Sequence, residues 1–128
     1  MPVPTLAPRL VLAAVLAASC TLSAQAQDAT LKKIKDSAAI TLGHRESSFG
    51  FSYNDGSGKP VGYSVDICMR IVEAIQAELG LPKLDIKYQM VTSQNRIPLV
   101  SNGTGDIECG STTNLVERQK QAAFSPDI

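Results

Sequence analysis

The sequence contains no tryptophan, one histidine, three cysteines and only 5% aromatic residues. A single histidine, with neither CxxC nor HExxH spacing anywhere, leaves a metal centre without its usual ligands, so no metal and no cofactor is expected. No run of like charge is present and the formal net charge is zero. That balance argues against nucleic acid or an anionic membrane surface as a partner. Repeats and low-complexity segments are also lacking. The longest apolar run, Leu10 to Ala18, is nine residues, far short of the roughly 20 that cross a hydrocarbon core.

That run has a different use. Arg9 precedes it and Ala24-Gln25-Ala26 follows as a small-x-small cleavage site, the pattern of a secretory signal. Residues 1–26 are therefore expected to be a signal peptide, with the mature chain beginning near Gln27. A retained membrane anchor is one alternative. Lipidation at Cys20 is another, since Ala17-Ala18-Ser19-Cys20 loosely follows a lipobox without its usual leucine. Only Arg9 of the charged residues lies in this leader, which leaves 11 basic against 12 acidic residues in the rest. Export places Cys68 and Cys109 where disulfides persist. They form either a disulfide or two separately buried thiols.

Beyond the leader, apolar patterning alternates between two periods. Residues 30–37 read as a short helix with Leu31 and Ile34 on one side and lysines on the other. Ala39 to Gly43 reads as the first strand and ends in the polar run His44-Arg45-Glu46-Ser47-Ser48. Phe51-Ser52-Tyr53 and Val61-Gly62-Tyr63 flank an Asp55-Gly56 and Gly58-Lys59-Pro60 turn, the signature of a surface hairpin. Ser64 is the predicted N-cap of a helix whose apolar face is Ile67, Ile71, Ile75 and Leu79, terminated by Gly80 and Pro82. Leu84 to Val91 alternates apolar and polar and reads as a strand. Ser93 is the predicted N-cap of a short helix through Leu99 and Val100. Asp106 to Cys109 is a brief strand, and Asn114 with Glu117 has capping-box spacing for a final helix. This order predicts an α/β fold, a mainly parallel sheet with helices on both faces. The approach to a further strand at Ala122 to Ile128 points to a truncated sequence.

Ligands of open α/β sheets bind beyond the carboxyl ends of the strands. Three such ends carry polar loops here: His44 to Ser47, Thr92 to Arg96, and Gly110 to Thr113. Two of them open helices, whose free N–H groups favour anions. Arg45, Arg96 and Arg118 lie in or just beyond the loops, and arginine offers a permanently charged planar fork suited to a carboxylate. The competing reading of Ser93 and Asn114 is capping, that of His44 is structural, and that of a lone helical arginine such as Arg70 is a solvated charge. Convergence of the three loops on one sheet edge favours a small-anion pocket rich in hydroxyls.

The runs Gly43 to Ser48, Thr92 to Leu99 and Glu108 to Asn114, followed by Glu117-Arg118-Gln119, resemble the periplasmic glutamate/aspartate-binding proteins of the type II (family 3) solute-binding superfamily. The resemblance spans essentially the whole chain after the leader. It implies that residues 27–128 are the N-terminal lobe of a two-lobed protein that closes on an amino acid, with the second lobe missing. It further implies that Arg118 clamps the α-carboxylate, that Ser111 and Thr113 receive the α-ammonium, and that Arg45, Ser93 and Arg96 hold the side-chain carboxylate. Two separated carboxylates need two cationic subsites, and three arginines supply them. The implied function is the periplasmic binding component of an ABC importer for glutamate or aspartate, a monomer that docks on a permease in the inner membrane. No catalytic residue is expected. A periplasmic dehydratase or hydrolase on the same fold would need a general acid or base in the cleft, for which Glu46 is the one candidate in these loops. A ligand-sensing domain of a membrane receptor is the third class.

Overall fold

The computed structural model describes residues 29–126. The expected signal peptide, the alternative lipidation site at Cys20 and the end of the expected terminal strand lie outside the described residues. Helix α1 covers residues 29–37, and its apolar side is as predicted: Ile34 is buried, Leu31 half-buried, and Lys32 and Lys33 exposed. It ends at Ala38, a non-glycine residue at φ 48°, from which the chain enters β1 (Ala39–His44).

β1 is the centre of the main sheet. Strands β5 (Asp85–Met90) and β6 (Ile107–Cys109) flank it, both parallel to it, in the order β5-β1-β6. One face of β1 places Ile40 and Leu42 in a cluster with Ile34 of α1, Leu84, Cys109, and Cys68 and Val72 of α2 (Tyr63–Glu78). A disulfide joins Cys68 to Cys109 and so fixes α2 to β6. Asp106 ties the edge of this sheet to α1. Its carboxylate accepts from the Thr41 amide at 2.8 Å and from Lys33 Nζ at 2.9 Å.

The surface hairpin is larger than its expected form. β2 (Ser47–Ser48), β3 (Ser52–Asn54) and β4 (Pro60–Val61) make a three-stranded antiparallel sheet. The polar run after β1 turns back to supply β2, whose pairing is backbone-driven and leaves no apolar alternation to read. The tip is as expected: Asp55 Oδ1 accepts from the amides of Ser57 and Lys59 at 2.8 and 3.0 Å, and Gly58 takes φ 81°.

Three expected helix starts move. The N-cap of α2 is Gly62, at φ 123°, with Phe51 O only 2.5 Å from where a Cβ would stand. That close crossing of β3's entry sets the start, so Ser64 lies inside the helix. α3 (Arg96–Ser101) is capped at Asn95, and α4 (Val116–Gln119) at Leu115. Thr92 and Asn95 bond each other's amides and fold residues 92–95 into a turn first. Asn114 Oδ1 accepts instead from Gln119 Nε2 at 2.8 Å. The α2 core stripe also differs: Val65, Cys68 and Val72 are buried, whereas Ile71 is exposed. At the other end Gly80 takes φ 63°, its amide bonding Ala77 O and that of Leu81 bonding Gln76 O, a glycine stop as predicted.

Candidate functional site

Parallel pairing brings the three strand ends to one edge. His44, the last residue of β1, is in register with Met90 of β5 and Cys109 of β6. The residues that follow each strand therefore emerge side by side, carrying Arg45, Ser93 and the Gly110-to-Thr113 segment into one region. His44 itself is buried, with Nδ1 3.1 Å from Arg45 O and its ring edge-on to Tyr88. Its role is structural.

Contacts link the loops in pairs. Arg45 Nη1 donates to Ser93 Oγ at 3.0 Å, and the Arg45 amide donates to the buried Ser52 Oγ at 2.9 Å. Ser48 Oγ and Ser111 Oγ lie 2.9 Å apart. Arg118 Nη1 donates to Thr113 O at 2.9 Å. Arg96 is buried, and its Nε finds no partner. Burial pulls the Arg96 guanidinium below the ordinary arginine range; Glu108 opposes this, while Arg45 and Arg118 add to it. Arg96 thus feels two like charges, Arg45 and Arg118, and one opposite charge, Glu108. Such a cluster is relieved by an anion placed between its members.

A cavity of about 860 Å³ adjoins the loops along β6. Arg96, Ser111 and Thr113 line it together with Ile67, Ile71, Ile97 and Val100. Arg45, Ser93 and Arg118 stand outside that lining. Arg45, Ser93, Ser111 and Thr113 follow the three strand ends, Arg96 opens α3, and Arg118 in α4 reaches back to Thr113 O.

Two features escaped the sequence reading. Glu108 Oε1 and Thr112 Oγ1 are buried without hydrogen-bond partners. Gly110 is needed for close approach: a Cβ there would stand 2.1 Å from Glu108 Oε1 and 3.0 Å from Arg45 Cγ. The available signal was an ionisable residue inside an otherwise apolar strand, two residues before a glycine. Among the described residues, no group of three or more His, Cys, Asp or Glu could hold a metal ion. No helix among them is long and apolar enough to cross a membrane.

Comparison with known proteins gives this edge a context. The L-glutamate/L-aspartate-binding protein of Pseudomonas aeruginosa is 55% identical over 126 residues, covering 96% of this chain and 42% of that protein. The glutamate/aspartate import solute-binding protein of Escherichia coli is 58% identical over 106 residues, covering 83% of this chain and 35% of that protein. The chain thus spans less than half the length of either relative. Among solved structures, an ancestral amino acid-binding protein described as a precursor of cyclohexadienyl dehydratase superposes with a TM-score of 0.61 at 22% identity, over 71% of this chain and 37% of that one. A mutant of the arginine-bound form of domain 1 from TmArgBP superposes with a TM-score of 0.62 at 26% identity, over 74% of this chain and 68% of that one. The fold is that of part of a type II periplasmic binding protein. The model of the bacterial extracellular solute-binding proteins, family 3, matches residues 40–128, and the chain belongs to that family.

Proposed function

We propose that this chain is the N-terminal lobe, residues 27–128, of a periplasmic solute-binding protein that captures glutamate or aspartate for an ABC importer, with residues 1–26 as its cleaved signal. The observation that carries this reading is the buried, incompletely bonded Arg96 acted on by both Arg45 and Arg118. A neutral amino acid would answer one cationic subsite; three converging arginines ask for two carboxylates. The names of the relatives at 55 and 58% identity point to the same ligands.

In this reading Arg118 holds the α-carboxylate, Ser111 and Thr113 receive the α-ammonium, and Arg45, Ser93 and Arg96 hold the distal carboxylate. The Arg45–Ser93 and Arg118–Thr113 hydrogen bonds support the assignment by keeping each fork beside the partner it needs. Arginine held by a second bond loses less freedom on binding, and such preorganisation favours affinity. The protein works as a monomeric binder that hands its ligand to an inner-membrane permease, and no step of chemistry is assigned to it.

The test is calorimetric titration of the protein, expressed at the full length of its reading frame, with glutamate, aspartate, glutamine and arginine. Binding of the two acidic ligands at least tenfold tighter than the others is expected. No binding of either acidic ligand would overturn the reading.

A further inference from the structure

Glu108 sits on β6 one residue before the disulfide cysteine and two before Gly110. Its Oε1 is buried without a hydrogen-bond partner, and so is Nε of Arg96. Both residues line the same cavity. The carboxylate lies against Gly110, within 2.1 Å of where a Cβ would stand, and the stem of Arg45 approaches the same point to 3.0 Å. An unpaired buried acceptor and an unpaired buried donor lining one cavity are each costly, and the cost disappears when the two are joined. Arginine presents five N–H donors in a fixed planar fork, so an acceptor on the Nε edge leaves the end-on pair of terminal N–H groups free for a second carboxylate.

We infer that Glu108 is a positioning residue, which accepts from Arg96 Nε–H in the ligand-bound protein and so points the Arg96 fork at the distal carboxylate of the ligand. This rests on the acidic amino-acid reading above. Glu108 has a second consequence: it offsets one of the three arginine charges, which leaves two in excess for the two carboxylates of the ligand. Gly110 is then the residue that makes room for the carboxylate, and any side chain there would displace it.

The experiment is a double-mutant cycle on the protein at the full length of its reading frame, with glutamate as the probe and calorimetry as the measurement. Glu108→Gln and Arg96→Lys should each weaken glutamate by roughly 10- to 50-fold. The two together should weaken it little more than Arg96→Lys alone, because the carboxylate acts only through that guanidinium. A purely structural role for Glu108 would instead give losses that multiply, and that outcome overturns the inference. Unchanged or tighter glutamate binding by Glu108→Gln overturns it as well. Should the glutamine variant not fold, Glu108→Asp, which keeps the charge but withdraws it by one methylene, is read in the same cycle with the same two outcomes. Failure of the wild-type protein to bind glutamate or aspartate would sink the functional reading itself, and is seen before any variant is made.

Discussion

Arg45 and Ser93 are 48 residues apart in the chain, yet Arg45 Nη1 donates to Ser93 Oγ at 3.0 Å. The bond exists because β1 and β5 pair in parallel and end together, His44 against Met90. Neither loop contains the site by itself. The cation comes from the loop after β1, the hydroxyl that steadies it from the loop after β5, and the sheet register sets their distance.

The first prediction tests what that steadied cation is for. Arg45→Ala should weaken glutamate far more than glutamine, because the partner lost by glutamate is a charge. A charge-assisted contact of about 1.5–3 kcal/mol corresponds to roughly 10- to 150-fold in the dissociation constant. Calorimetric titration with both ligands measures the difference. Equal losses for the two would remove Arg45 from the distal-carboxylate subsite.

The second prediction concerns the Cys68–Cys109 bond, which closes a sequence separation of 41 residues. Reduction of the denatured protein should release two thiols more than are free before reduction. A cross-link over a loop of that size restricts the unfolded chain by about 4 kcal/mol in the chain-entropy account. Reduced protein should therefore unfold at clearly lower denaturant, and the loop from Gly110 to Thr113, attached directly to Cys109, should loosen with it. A thiol count that does not change on reduction would eliminate the bond.

A third prediction comes from the one non-glycine residue with positive φ among those described. Ala38 stands at φ 48° between α1 and β1. Left-handed backbone costs an L-residue about 1–2 kcal/mol, whereas glycine adopts it freely but loses more freedom on folding. Ala38→Gly should accordingly stabilise by about 0.5–1 kcal/mol, read as a rise in the urea midpoint with unchanged slope. Its carbonyl accepts from the Asp85 amide at 2.9 Å, so the turn must stay in place for β1 and β5 to pair. A lower midpoint would mean that Ala38 is not strained.

Much of this was legible from residue patterns. A short apolar run located β1, period-two alternation located β5 and a four-residue period located α2, although Tyr88 and Met90 on the apolar side of β5 are exposed. The Asp55-to-Gly58 turn was legible because Asp and Gly there are required by the turn's own hydrogen bonds and φ. Helix starts were not, and Ser64, Ser93 and Asn114 show why. A small polar residue before an apolar run marks a potential cap, but at Gly62 the crossing of Phe51 decided the start, and Thr92 and Asn95 preferred to bond each other. β2 was invisible because Ser47 and Ser48 pair through backbone alone. Ile71 carries the helical period yet is exposed, since no described element covers that side of α2. Arg45, Arg96 and Arg118 were legible as cations in or just beyond the polar loops that follow the strands. Glu108 was not, because its place against Gly110 depends on the close approach that a glycine permits and on no spacing in the chain.

The last prediction concerns the lobe by itself. Residues 27–128 alone should bind glutamate roughly a thousandfold more weakly than the protein at the full length of its reading frame. Affinity in a two-lobed binder comes from enclosure, where contacts leave water and strengthen. Here Ser93, Ser111 and Thr113 are exposed, and Arg45 and Arg118 are only half-buried. Physiological salt, with a Debye length of about 8 Å, screens pairs formed at such a surface. Three closed-state contacts of about 1.5 kcal/mol each, absent from the lone lobe, amount to three orders of magnitude. Some binding should survive, because the buried Arg96 is desolvated within residues 27–128 themselves. Calorimetry on both forms, at one salt concentration, measures the ratio. Affinities within tenfold of each other would mean that this lobe carries the site, and that closure contributes selectivity or permease docking and not affinity.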